Sequence, residues 1–356
     1  MKAQDQSILP TWLSLALSIA FVLSGVSVLI FAYLTAQVVW NRPLNPVEQA
    51  AIEVADISLS LDQDDPPSAL IAPGQPTPTL APTTEPWQGN GRVNILLMGI
   101  DRRPGEPFIS RTDSMMIISI DPESNSASIL SVPRDLYVVI PGRGRDRINT
   151  AFVYGSAGSN PAAGAALAMQ TVEYNLGVPI HHYILVDFSA VINGINLLGG
   201  IQVYVPRDLY DPTYPDMNYG YDPLFIPAGW NTFDGEMALK YARTRHVDND
   251  FGRAQRQQQV VLAARDKALS LGVTQLLLRA PDLYRQVEQG IRTDLSLEQL
   301  VRLATTASEI PSENIRQAVL DQNYVTNYTT EQGAAVLILQ NDVAAPLINE
   351  LFYTNP

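Results

Sequence analysis

Between Asp101 and Gln258 the chain sets most of its arginines around a few aspartates, in the segments GIDRRP, SRTDS, SVPRD, RGRDRIN and RTRHVDNDFGRAQRQQ. The formal net charge is -13, yet eleven of the twenty arginines fall within 102–147 and 243–256, and the only lysines are at 2, 240 and 267. Arginine presents a rigid planar fork of donors that grips phosphate oxygens two at a time, whereas lysine is a flexible point charge. Such a cluster in an acidic chain points to a pocket for a multiply charged phosphate group. It argues against a general polyanion surface, and the net charge argues against a nucleic-acid partner.

These charges can act together only if the fold converges them. VNILLMGI (93–100) is an apolar run of strand length that ends at Asp101, and SMMIISI (114–120) is a second strand. The turn-rich DPESNS (121–126) leads into a third, ASILSV (127–132), so the second and third strands form a hairpin. If the first strand is antiparallel to the second, Asp101, Asp113 and Arg134 share one sheet edge, with the loop from Arg102 to Thr112 arching over them. Helices are predicted over 160–177, capped by Asn160 and closed by Gly177, over 189–198, over 233–243 capped by Asp234, and over 252–271. Strands are predicted at 183–188 and 201–205. On the 252–271 helix Arg253, Arg256 and Gln257 stand at i, i+3 and i+4 and share a face. Arg243 and Arg245 point to one side if RTR is extended. The alternation indicates an α/β fold, a mixed central β-sheet flanked by helices as an α-β-α sandwich. Residues 272–356 read as its helical completion, with helices over 295–310 and 330–352.

No charged residue occurs between Asp5 and Arg42, and Trp12 to Tyr33 is almost wholly apolar. About 20 such residues span a bilayer. The expected layout is a short cytoplasmic tail (1–11), one uncleaved transmembrane anchor (12–40), a juxtamembrane segment with a Pro/Thr-rich linker (41–91), and one folded domain (92–356). Zero cysteines exclude disulfides, a cysteine nucleophile and thiolate-bound metal. The histidines at 181, 182 and 246 lack metal-ligand spacing, and Arg143 and Arg145 in PGRGRDR read as exposed loop charges. The Tyr-rich stretch Tyr204 to Tyr221 could stack on sugars, although tyrosines there more often pack.

Across 92–271 six motifs stand in order: GID (99–101), RTD (111–113), SVPRD (131–135), RINTAFVYG (147–155), DGEMALKYARTR (234–245) and DFGRAQRQQ (250–258). In this set the chain resembles the LytR-CpsA-Psr family of bacterial cell-wall enzymes, with Arg147 standing where that family's pattern has lysine. The resemblance implies an LCP-like fold and a single-pass cell-membrane protein whose C-terminal domain is extracytoplasmic. It implies a transferase that moves a glycopolymer from a polyprenyl-diphosphate carrier to a peptidoglycan hydroxyl as a phosphodiester, releasing polyprenyl phosphate. Asp101 and Asp113 would hold Mg²⁺, with Mn²⁺ as the alternative ion. Arg134, Arg243, Arg245, Arg253 and Gln257 would hold the diphosphate, with Arg102, Arg111 and Arg147 in second rank. Asp101 is the preferred base, with Asp250 or a metal-bound arrangement as alternatives. The polyprenyl chain needs an apolar groove, expected between the sheet and the helices at 162–198. A polyprenyl-diphosphate hydrolase and a non-catalytic lipid-binding envelope regulator are the competing readings.

Overall fold

The computed structural model describes residues 91–102, 105–157, 159–216, 220–245, 248–272 and 287–354. The expected tail, anchor and nearly all of the linker lie outside them, and among the described residues no helix is long and apolar enough to cross a membrane.

Strands β1 (Val93–Ile100), β2 (Thr112–Asp121) and β3 (Ser126–Ser131) are followed by a small hairpin, β4 (Tyr137–Ile140) with β5 (Gly144–Arg147). Helices α1 (Ala151–Gly155) and α2 (Pro161–Leu176) lead to β6 (His182–Asp187) and α3 (Phe188–Leu197). A two-stranded ribbon follows, built from β7 (Ile201–Val205), β8 (Leu209–Asp211), β9 (Leu224–Ile226) and β10 (Gly229–Phe233). Next come α4 (Gly235–Arg243), α5 (Asp250–Leu271), β11 (Ile291–Thr293), α6 (Leu297–Glu309), β12 (Ile315–Val319), the hairpin β13 (Val325–Thr329) with β14 (Ala335–Leu339), and α7 (Asn341–Phe352).

The main sheet has six strands in the order β11-β6-β1-β2-β3-β12. It is mixed: β1 runs antiparallel to β2 and parallel to β6, while β12 runs parallel to β3. The antiparallel pairing puts the end of β1 beside the start of β2, with Ile100 facing both Thr112 and Asp187. Asp101, Asp113 and the segment after β3 therefore meet at one sheet edge, as the hairpin pattern requires.

Alternation along β1 separates two layers. Leu96, Met98 and Ile100 pack with Ala165, Ala168 and Val172 of α2 and with Ile348, Leu351 and Phe352 of α7. Val93 and Ile95 face the other way, against Leu295, Leu303 and Ile310 around α6. Helices thus cover both faces. A third cluster joins Ile195 of α3, the inner face of the ribbon, Ala238 and Tyr241 of α4, and Val260 of α5.

Caps fix where the site-bearing helices start. Asp187 accepts from the Ala190 amide at 3.0 Å, Asp234 from Met237 at 2.8 Å, and Asn249 from Phe251 and Gly252 at 3.1 Å each. Asp250 is consequently the first helical residue of α5, which puts its carboxylate at the positive end of the helix.

Two expectations need correction. The C-terminal part is not a helical completion: β11 and β12 form both edges of the main sheet, and 330–352 contains strand β14 before α7 begins at Asn341. The run AVLIL fits a strand as well as a buried helix, and pairing with β13 decides it. RTR is not fully extended either, because Arg243 closes α4 and only Thr244 turns the backbone out.

The start of α4 touches α3 so closely that a Cβ on Gly235 would lie 2.1 Å from the Ile192 carbonyl oxygen. Gly235→Ala must push the two helices apart, and we expect destabilisation of roughly 1–3 kcal/mol, read from chemical denaturation; an unchanged midpoint would contradict this packing.

Candidate active site

A cavity of about 430 Å³ opens where the C-terminal ends of β1 and β6 and the first residues of β2 meet α3, α4 and α5. Part of its lining is apolar: Leu97, Met116, Val186, Val191, Leu239 and Val261. Its mouth carries Asp101, Asp113, Arg134, Arg243, Arg245, Arg253 and Gln257. All seven principal residues read from the sequence therefore line one cavity. The groove, by contrast, is walled by α3, α4 and α5, whereas α2 packs on the opposite face of the sheet. Of the helices expected beside the groove, only α3 borders this cavity.

The mouth is an alternation of guanidiniums and carboxylates. Arg134 Nη1 donates to Asp113 Oδ1 at 2.5 Å, while its Nε lies 3.4 Å from Asp135 and 3.3 Å from Asp250. Asp250 is shared further, with Arg253 at 3.1 Å and Arg245 at 3.8 Å. Arg253 also donates through Nη2 to the Asp113 carbonyl at 3.3 Å. Across the mouth Arg243 stacks over Phe188 at 4.2 Å and stands 3.6 Å from Asp101, whose side chain is 47% exposed. Gln257 accepts a hydrogen bond from Ser114 at 2.9 Å and donates to the Ala242 carbonyl at 3.3 Å, which ties β2 to the end of α4.

Burial acts on these cations in opposite senses to their partners. For Arg134 it lowers the pKa, but the Asp113 hydrogen bond and the charges of Asp113, Asp250 and Asp135 outweigh it and raise the pKa. For Arg253 burial wins over Asp250, with Arg245 and Arg134 adding repulsion, and the pKa falls to about 10. Both remain cationic at neutral pH. Two of their buried nitrogens, Arg134 Nε and Arg253 Nη1, have no well-formed hydrogen bond despite the nearby carboxylates. Donors of that kind suit phosphate oxygens entering the mouth.

The second-rank candidates stand elsewhere. Arg102 donates to Asp187 through Nε at 2.9 Å and Nη2 at 2.5 Å, and lies 3.9 Å above the Phe108 ring. With Arg292 stacked on the same ring at 4.0 Å, it pins the loop before β2 to the core. Arg147 bridges to Asp135 at 3.0 Å and donates to the Ala335 carbonyl at 2.9 Å. Arg111 is exposed and outside the cavity lining.

Sequence reasoning gave Arg256 no role beyond its helical face. Buried, it donates from Nε to the Tyr241 carbonyl at 2.9 Å, from Nη2 to the Thr244 carbonyl at 2.5 Å, and from Nη1 to Asp248 at 2.5 Å. One guanidinium thus fixes the turn that carries Arg243 and Arg245. The apolar lining also escaped, since core and cavity leucines and valines have the same sequence signal.

Among the described residues no group of three or more His, Cys, Asp or Glu is placed to hold a metal. Asp101 and Asp113 do line the same cavity. They are the residues that would hold an ion such as Mg²⁺, which takes one or two carboxylates from the protein and completes its shell with water and phosphate.

The model of the LytR_cpsA_psr family matches residues 58–352. A polyisoprenyl-teichoic acid–peptidoglycan teichoic acid transferase TagU from Oceanobacillus iheyensis is 36% identical over 215 residues, 60% of this chain and 62% of the relative. The TagT transferase of Bacillus subtilis is 33% identical over 218 residues, 60% of this chain and 64% of the relative. The chain thus aligns with somewhat under two thirds of the length of these curated relatives. A solved structure described as TagT bound to LIIa-WTA superposes with a TM-score of 0.59 at 27% identity, covering 75% of this chain and 92% of that one.

Arg256→Lys keeps the charge but cannot reach two carbonyls and a carboxylate with one planar fork. Each hydrogen bond from a charged group contributes about 1.5–3 kcal/mol, so we expect a destabilisation of that order by denaturant titration together with weaker inorganic pyrophosphate binding by calorimetry. Wild-type values for both would remove the bracing role. Arg134→Lys should weaken pyrophosphate binding about 10- to 100-fold in the same calorimetric assay, and an unaltered affinity would show that Arg134 does not face the ligand.

Proposed function

Because this chain belongs to the LytR-CpsA-Psr family, we propose that it is a membrane-anchored phosphotransferase that moves a glycopolymer from a polyprenyl-diphosphate carrier to a peptidoglycan hydroxyl. The observation that carries this reading is the joining, in one cavity, of an arginine-rich lining to an apolar one. A lipid diphosphate has both parts. The relatives' names support a polyisoprenyl-linked teichoic acid as donor and peptidoglycan as acceptor. The apolar stretch within 12–40 would hold the domain at the membrane surface that carries the donor, in an extracytoplasmic setting where the lipid-linked substrate supplies the energy.

In the proposed reaction the polyprenyl chain occupies the apolar part of the cavity and the diphosphate lies among Arg134, Arg243, Arg245 and Arg253. The acceptor hydroxyl oxygen attacks the phosphorus that bears the glycan, the bond to the bridging oxygen breaks, and polyprenyl phosphate leaves with that electron pair. Phosphoryl transfer needs in-line placement and neutralisation of the oxygens that gain charge, and the fixed guanidiniums supply both. The acceptor proton passes to Asp101, which is half exposed and 3.6 Å from a single described guanidinium, whereas both oxygens of Asp250 face arginines. Gln257, held by Ser114, orients a phosphate oxygen from the α5 side. Mg²⁺, or Mn²⁺ in its place, held by Asp101 and Asp113 would offset charge on the phosphate oxygens. Arg102, Arg111 and Arg147, outside the lining, take no direct part in this scheme.

The test uses the full chain in detergent with a short polyprenyl-diphosphate glycan and Mg²⁺, with and without peptidoglycan fragments, following products by mass spectrometry. The expected result is acceptor-dependent transfer of glycan phosphate, lowered about 10²- to 10³-fold in kcat by Arg134→Ala. Acceptor-independent release of phosphate would replace the proposal with a hydrolase, and inert substrate despite tight lipid binding with a non-catalytic envelope protein.

A further inference from the structure

The ribbon formed by β7–β10 and β8–β9 is buried on one face and aromatic on the other. Its inner face contributes Ile201, Val203, Val205, Leu209, Leu224 and Ile226 to the core. Outward positions on a half-buried strand are ordinarily polar. Here they hold Tyr204 directly opposite Trp230 and Tyr210 directly opposite Phe225. Trp230 is 73% exposed, Tyr210 and Phe225 58%, and Tyr204 53%. Tyr204 and Trp230 meet edge to face, with ring centroids 5.5 Å apart and planes at 64°. Large exposed aromatics gathered on one face mark a contact surface.

The two aromatic pairs are separated by a kink. Three residues, 206–208, oppose two, 227–228, and Asp208 accepts from the Ala228 amide at 2.8 Å across the gap. Tyr210 stands six positions after Tyr204, at most about 20 Å at the usual strand rise and less across the kink. That spacing suits an extended chain lying along the ribbon and contacting each pair in turn.

Charge decides what kind of chain. In sequence Asp208, Asp216, Asp222 and Asp234 fall within or next to the ribbon, with Arg207 and Lys240 as its neighbouring cations; Lys240 is already bound to Asp222 at 2.6 Å, and Arg243 reaches Tyr214 only at the cavity end. This acidic border repels an anionic lipid surface or a phosphate-rich polymer. It accommodates a sugar chain, whose ring C–H faces pack on aromatic rings and whose hydroxyls donate to carboxylates.

The ribbon also leads to the cavity. Asp211, the last residue of β8, lines it together with Tyr214 and Pro215, and Asp211 accepts at 2.5 Å from the hydroxyl of Thr244, the residue between Arg243 and Arg245. We propose that the aromatic face of this ribbon binds the acceptor glycan strand and lays it toward the arginine-lined mouth. The identity of the strand as acceptor rests on the transferase reading above; the glycan site itself rests on the ribbon.

The experiment uses the full chain in detergent and cosedimentation with polymer-free, peptide-trimmed peptidoglycan. The variant Trp230→Ala/Phe225→Ala removes two exposed rings and should melt like the wild type. We expect about tenfold or greater loss of strand binding, recovered by Trp230→Tyr/Phe225→Tyr, with polyprenyl-diphosphate binding unchanged. In the transfer assay KM for long strands should rise while kcat and the use of a short soluble acceptor stay the same. Wild-type strand binding by the double alanine variant would overturn the proposal. So would quenching of Trp230 by brominated lipid in vesicles, with Trp12, Trp40 and Trp87 replaced by Phe, because the face would then lie in the bilayer. Ring-dependent strand binding without any transfer would leave the glycan site standing and remove the transferase reading, whereas transfer with no ring dependence removes only the glycan site.

Discussion

Four guanidiniums can crowd one cavity mouth in this acidic protein only because carboxylates are interleaved with them. Asp250 faces three of the four, and Asp113 and Asp135 complete the surroundings of Arg134. A partly buried cation without a partner is costly, so the carboxylates are a condition for having the arginines there at all. In the proposed reaction a diphosphate would exchange one set of anions for another among donors already held in place. The bracing by Arg256 and the cap from Asn249 serve the same end, since they hold the two ends of the segment that carries Arg243, Arg245 and Asp250.

Much of this was legible in the residues. The turn between two strand-length apolar runs gave the hairpin of β2 and β3, and with β1 antiparallel to β2, a condition the structure meets, Asp101, Asp113 and Arg134 come together. Asn160, Asp234 and Gly177 marked helix ends by local backbone chemistry, and the structure has those ends. The outer strands were not legible. IRT and IRQAV are short and mixed in polarity, and they become strands because β6 and β3 offer them unpaired edges. Arg102 and Arg147 ranked below the cavity arginines, but what holds them was not legible, because whether a guanidinium meets a ligand or a neighbouring aspartate depends on contacts 85 residues distant for Arg102.

The cavity itself follows from the alternation along β1. Its even-numbered side chains enter the α2 and α7 layer, and its odd-numbered ones begin in the α6 layer with Val93 and Ile95. Beyond the reach of α6 the odd side continues as Leu97 and Gly99, which line the cavity. Gly99 permits a close approach there, since a Cβ on it would stand 3.2 Å from that of Ser114. The apolar part of the lining is thus a section of ordinary sheet face that α3, α4 and α5 roof without filling. The same roof helices carry Arg243, Arg253 and Gln257, so the apolar and the charged parts of the lining share their supports.

The sheet order carries a consequence for biosynthesis. Its two outermost strands, β11 and β12, are drawn from the last third of the chain, while the four between them are complete by Asp187. As the polypeptide emerges, β6 and β3 both wait as open edges through more than a hundred residues of further translation. Unpaired edges invite pairing with other chains. A nascent chain that already carries all six motifs therefore still has two unpaired sheet edges, which only its unremarkable C-terminal strands close against its neighbours.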